Sequence, residues 1–83
     1  MATKILLVED EAKTVAYLSQ GFKEQGFSVD VAKDGEQGLA LATKGEYDLL
    51  ILDVMLPGLD GWEILTRLRK NGKRTLALFS DRS

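Results

Sequence analysis

The sequence predicts an α/β fold built on a four-stranded parallel sheet covered by helices. Two continuous apolar runs carry much of this reading, Ile5-Leu6-Leu7-Val8 and Leu49-Leu50-Ile51-Leu52, and each runs directly into acidic residues. Uninterrupted runs of this kind mark strands buried on both faces, as parallel sheets require. Stretches of helical period lie between the candidate strands and give the order β-α-β-α-β-α-β. That alternation implies right-handed crossovers into one parallel sheet.

Each element has its own signal. Ile5 to Val8 reads as the first strand and ends at Glu9-Asp10-Glu11. A helix is expected from about Glu11 to Gln25, because Val15, Leu18 and Phe22 make an i, i+3, i+7 stripe. Gly26 closes it as a C′ residue. Phe27 to Ala32 alternates apolar and polar residues, which marks a half-exposed strand at a sheet edge. Asp34 is a candidate N-cap for a second helix that uses Leu39, Leu41 and Ala42 as its apolar face and stops at Lys44-Gly45. Tyr47 to Asp53 is the central strand. A third helix from about Gly61 to Lys70 places Trp62, Leu65 and Leu68 on one side, with Trp62 read as core, and Asn71-Gly72 ends it. Thr75 to Phe79 is the last strand. The half-polar second strand fits an edge, which gives the flavodoxin-like order 2-1-3-4 in a three-layer α/β/α arrangement.

Bulk properties narrow the function. The 83 residues make one domain, 1–83, small for this architecture. A net charge of -2 leaves no basic footprint for direct nucleic-acid binding. The sequence has no Cys and no His, so thiolate or imidazole ligation and His-based catalysis are excluded within it. No stretch reaches membrane-spanning length and no signal peptide is visible, so a soluble cytoplasmic chain without membrane partners is expected.

The chosen strand order brings Glu9, Asp10 and Asp53 to one carboxyl edge, where open α/β sheets bind ligands. Like charges about 5 Å apart cost roughly 3 kcal/mol per pair at an effective dielectric near 20. Raised protonation or a bound cation relieves this. Oxygen-only donors favour a hard ion, Mg²⁺ or Mn²⁺, which retains waters and takes up phosphate oxygens. At such a site Asp53 is the best candidate nucleophile, forming an acyl phosphate while the metal neutralises charge. The plainer reading is a structural acid cluster, and composition and topology alone do not decide between the two. For Glu11, Asp34 and Asp60 the plainer reading is preferred: acids beside turns usually accept local hydrogen bonds. Gly35, Gly45, Gly58 and Gly61 are read as turn residues, since neither GxGxxG nor a P-loop is present. Pro57 is expected to stiffen the loop after Asp53, with its isomer left open.

Taken together, Ile5-Leu6-Leu7-Val8-Glu9-Asp10-Glu11, Gly26-Phe27, Asp34-Gly35 and Tyr47 through Trp62 resemble the receiver domain of bacterial two-component response regulators. The likeness covers residues 3 to about 75. Lys13-Thr14, Tyr17-Leu18 and Gly61-Trp62 are most similar to heavy-metal (copper or silver) regulators of the winged-helix class. The resemblance implies that Asp53 accepts a phosphoryl group from the phosphohistidine of a sensor histidine kinase. It implies Mg²⁺ ligation by Asp10, Asp53 and the Met55 backbone carbonyl, with Glu9 acting through water. Pro57 and Gly61 match the supporting loop and the start of the third helix. This would make the protein a phosphoacceptor rather than an enzyme, with at most Mg²⁺-dependent autophosphorylation and autodephosphorylation.

The chain departs from that family after Arg74. The phosphoryl-binding Thr or Ser falls at Asp81 in direct register, or at Ser80 with a one-residue deletion. Leu76 stands where the family has proline, and the lysine after the fifth strand has no counterpart. The last strand, two helices and a DNA-binding domain are expected to be missing. A shortened polypeptide, a natural fragment or a shifted reading frame would each produce this pattern. Thr75 to Phe79 would then be an uncovered apolar edge, and such edges pair with other chains, so self-association to a dimer or higher oligomer is expected. The competing function is a phosphorylation-independent interaction module that assembles through this edge. Two others fit poorly. An aspartyl-phosphate phosphatase wants an acid where Met55 stands, and Glu9-Asp10-Glu11 would repel a flavin phosphate.

Overall fold

Two strands make the centre of the molecule, β1 (Lys4–Val8) and β3 (Leu49–Asp53), paired in parallel with Val8 opposite Leu52. In β1, Ile5 through Val8 are buried; in β3, Leu50 through Asp53 are buried. Side chains alternate along a strand, so a run of this kind needs a cover on each face. The computed structural model describes residues 3–54 and 59–80 of the chain.

One face holds Leu6, Val8, Leu50 and Leu52, packed with Ala42 from α2 (Gly35–Lys44) and with Ile64 and Leu68 from α3 (Gly61–Lys70). The other holds Ile5, Leu7 and Ile51, covered by Val15, Leu18 and Phe22 of α1 (Ala12–Glu24). This is the three-layer arrangement that the sequence predicts. The sheet order is β2-β1-β3-β4, with β2 (Ser28–Ala32) and β4 (Leu76–Ser80) at the edges. The half-polar second strand is indeed an edge, where only every other residue needs covering.

Local chemistry places the helix ends. Asp34 accepts a hydrogen bond from the Gln37 amide at 2.8 Å, and Gln37 Oε1 accepts one from the Lys33 amide at 2.9 Å. This reciprocal pair resembles a capping box and satisfies two donors at the start of α2. Asp60 caps α3 by accepting from the Glu63 amide at 2.9 Å. Both acids are thus local acceptors, as expected of acids beside turns. Gly26 has φ +90° and Gly72 has φ +80°, the left-handed conformation that ends α1 and α3.

The structure shifts four expectations. β3 begins at Leu49 instead of Tyr47, because the Tyr47 hydroxyl turns to donate to Asp30 Oδ2 at 2.7 Å. β2 begins at Ser28 rather than Phe27, whose ring packs with Phe22 and Val29 against the α1-side core. β4 runs one residue later than read, from Leu76 to Ser80. Most consequential, Trp62 is not core and is 61% exposed. The face that α3 presents to the sheet is Gly61, Ile64 and Leu68, also an i, i+3, i+7 series. That rotation carries Trp62 to the flank, where its ring lies against Phe79 at 4.3 Å between centroids.

Because Ile64 sits fully buried between α3 and the sheet, Ile64→Ala should cost about 2–5 kcal/mol. That is a large share of a small domain's total stability. Urea unfolding followed by circular dichroism checks this; a loss below 1 kcal/mol would mean that α3 is not held by this contact.

Candidate functional site

β1 and β3 end side by side, and the residues at their tips are acids. Asp53 is the last residue of β3 and Glu9 the first beyond β1. The Glu9 amide donates to the Ala32 carbonyl at 3.0 Å, which extends the pairing of β1 with β2 by one step. Strand alternation carries Glu9 to the side of Ile5 and Leu7, and Asp53 to the side of Ile51. The carboxylate oxygens of Glu9, Asp10 and Asp53 come within 4.8 Å of one another. Glu9 and Asp53 are buried, at 1% and 0% exposure, and Asp10 is exposed at the mouth. The convergence expected from the sequence is therefore present, with its depth now visible.

Burying carboxylates together is unfavourable unless something offsets it. Part of the relief is local. Glu9 Oε2 accepts from the Asp10 amide at 2.9 Å and the Glu11 amide at 3.2 Å. Those contacts favour the charged form. Burial acts the other way and more strongly, and hydrogen bonding to the neighbouring Asp53 carboxyl adds to it, so Glu9 is held above the ordinary glutamate value of 4.5. A proton held more tightly on Glu9 is one of the two outcomes that crowded carboxylates allow. The other is a cation. The donor set fits a hard divalent ion: three carboxylates, two of them inside the protein, with neither imidazole nor thiolate anywhere in the sequence.

The remaining sequence-predicted residues divide into two groups. Gly61 lies against the site. A Cβ there would meet the Phe79 ring at 2.8 Å and the Asp53 carbonyl oxygen at 3.3 Å, so only glycine lets the start of α3 approach this closely. Ser80 pairs with Asp53 across the β3–β4 ladder, and its carbonyl accepts from the Val54 amide at 3.4 Å. Ser80, one of the two candidate switch positions, is thereby brought beside Asp53. Met55, Pro57, Gly58 and Asp81 lie outside the described residues. Glu11 accepts from the Thr14 hydroxyl at the start of α1.

Sequence reasoning missed the part that Gly35 plays. It is buried, and a Cβ on it would fall 1.9 Å from the Leu59 carbonyl oxygen. The Asp-Gly pair opening α2 was a visible signal, but it read as a turn. Its partner, 24 positions further along the chain, could be named only from coordinates.

A parallel sheet of order β2-β1-β3-β4 with an acidic cluster at its carboxyl edge defines a class of small α/β signalling domain. The family model described as response regulator receiver domain matches residues 5–80, and the chain belongs to that family. It is 54% identical over 76 residues to the transcriptional regulatory protein PcoR of Escherichia coli, a match covering 92% of this chain and 34% of that protein. The chain thus spans about a third of the length of the curated relatives it matches. Among solved structures, the Francisella response regulator 1452 receiver domain is 33% identical with a TM-score of 0.91, covering 95% of this chain and 65% of that one. Response regulator protein TrrA from Thermotoga maritima, solved in complex with Mg²⁺ and BeF, is 34% identical with a TM-score of 0.89, covering 95% and 69%.

The raised Glu9 value has a consequence for stability. An acid that binds its proton more tightly when folded stabilises the fold below its ordinary value of 4.5, and that contribution is lost as pH rises through the higher folded value. In metal-free buffer, Glu9→Gln should therefore melt higher than the parent at pH 7.5, with the gap closing as pH falls toward 4.5. Relief on the order of 1 kcal/mol corresponds to about 4–8 °C in Tm for a domain of this size. Melting curves in EDTA at both pH values check it, and a lower Tm for Glu9→Gln at pH 7.5 contradicts it.

Proposed function

We propose that the chain is the phosphoacceptor receiver portion, residues 1–83, of a two-component response regulator. The single observation that carries this is the convergence of Glu9, Asp10 and Asp53 within 4.8 Å at the carboxyl edge of the sheet. In this reading an Asp53 carboxylate oxygen attacks the phosphorus of a phosphohistidine on a sensor histidine kinase. The P–O bond forms as the P–N bond breaks, and the electron pair of that bond stays on the departing imidazole. Asp10, Asp53 and the Met55 carbonyl would hold Mg²⁺ (or Mn²⁺), with Glu9 acting through water, and the ion, when bound, supplies charge neutralisation for the transferring group. Burial of Asp53 limits water around the acyl phosphate and so lengthens its life. Ser80, opposite Asp53 in the ladder, would serve as the switch residue in this reading, with Asp81 as the other candidate. The sequence resemblance gives Pro57 and Gly61 the supporting roles between Asp53 and α3.

The wider role follows the same reasoning. The matched relatives bear the names of transcriptional regulatory proteins. Control of transcription through a DNA-binding domain outside these 83 residues, in a heavy-metal response in the cytoplasm, fits the sequence resemblance. No helix among the described residues is long and apolar enough to cross a membrane. Treatment with acetyl phosphate and Mg²⁺, followed by intact-mass spectrometry, tests the central step. A single added phosphoryl group that disappears in Asp53→Asn is expected; an adduct that survives the substitution places the acceptor elsewhere.

A second observation favours self-association as an added property. β4 is a sheet edge, and Leu76 and Leu78 are 63% and 51% exposed on it. Apolar edges of this kind recruit further strands. The 83-residue polypeptide should therefore sediment and scatter as a dimer or larger species at micromolar concentration, and Leu78→Lys should shift it toward monomer. A monomer before substitution counts against the edge as an assembly surface.

A further inference from the structure

The first turn of α2 is linked to the backbone around the acidic site at two places, without contributing a carboxylate to it. Its capping residue Asp34 follows Ala32 by two positions, and the Ala32 carbonyl is the acceptor for the Glu9 amide at 3.0 Å. Gly35 itself lies beneath Leu59. An ideal Cβ on Gly35 would fall 1.9 Å from the Leu59 carbonyl oxygen and 2.7 Å from both its carbonyl carbon and its Cβ. Two of those three atoms are backbone, so no rotamer change relieves the overlap. Leu59 in turn leads into Asp60, the cap of α3, and Gly61, which sits against the Asp53 carbonyl. The contacts form a chain from α2 through Leu59 and the start of α3 to the backbone of Asp53.

We propose that Gly35 is a positioning residue for the ion site: by having no side chain, it lets the segment entering α3 seat on α2 and so fixes Asp53 relative to Glu9 and Asp10. The α2 turn is suited to this because the Asp34–Gln37–Lys33 contacts hold it at both ends. A methyl group at position 35 lifts Leu59 and shifts the start of α3. Gly61 transmits the displacement to Asp53, whose geometry a divalent ion reads to within tenths of an ångström. The inference rests on the acidic cluster being the Mg²⁺ site.

Titration calorimetry with Mg²⁺ tests it, comparing the parent chain with Gly35→Ala and Gly45→Ala. Gly45 is the control. It ends α2 far from the acids, and its Cβ would meet the Tyr47 ring at 2.6 Å, so it also strains packing. Both variants should melt lower than the parent. Only Gly35→Ala should raise the Mg²⁺ dissociation constant, by roughly tenfold, the low end of what residues behind a metal's ligands do. Equal affinity in Gly35→Ala and the parent overturns the proposal, as does equal weakening in both variants. If Gly35→Ala does not fold, Gln37→Ala decides: it loosens the same turn with neither clash nor change of charge. It should weaken Mg²⁺ binding about threefold, the scale of one weak hydrogen bond, and unchanged affinity overturns the proposal. A parent chain that binds no Mg²⁺ is the separate result that removes the ion site itself.

Discussion

The confinement of Glu9 and Asp53 at the tips of two neighbouring buried strands is the constraint on which the rest of this structure depends. Strand pairing places them together, since Val8 lies opposite Leu52 and the next residue on each strand is an acid. Burial makes the placement costly, as the upward shift of Glu9 records. A fold that needed only stability would put apolar residues there. Retaining two carboxyls side by side at the ligand-binding edge of a parallel sheet makes sense where a proton, a divalent ion or a transferable phosphoryl group is to be exchanged.

The surrounding elements act as a bracket around this pair. The α1-side core of Ile5, Leu7 and Ile51 holds the strands from one face, and Ile64 and Leu68 hold them from the other. At the carboxyl edge the close contacts are made through glycines. Gly61 lets the start of α3 reach the Asp53 carbonyl, and Gly35 lets the segment before α3 rest on α2. Close backbone approach transmits displacement more directly than side-chain packing, because backbone atoms have no rotamers to absorb it. Asp10 is the exposed member of the acidic cluster.

The corrections to α3 and β4 share one cause. The third helix contains two interleaved apolar series, Trp62-Leu65-Leu68 and Gly61-Ile64-Leu68, and periodicity fits both. The second faces the sheet because a glycine at its head allows α3 to approach Asp53, whereas an indole in that place would hold the helix away. Trp62 instead covers Phe79 from the flank. The one-residue shift of β4 is similar. A short apolar run can be read in neighbouring registers, and pairing with β3 selects the one that ends at Ser80 opposite Asp53.

The sequence by itself determined the α/β class, the strand order, the helix cap at Asp34, the local acceptor role of Asp60, and the meeting of Glu9, Asp10 and Asp53. All of these rest on local signals: apolar run length, helical period, and acids placed at strand ends or before helices. Only the tertiary structure decided which face α3 turns inward, how deeply Glu9 and Asp53 are buried relative to Asp10, and that Gly35 lies beneath Leu59. Those outcomes depend on how near two segments distant in the chain approach each other, and that spacing is set by the packed volumes of both partners together, which neither segment encodes alone.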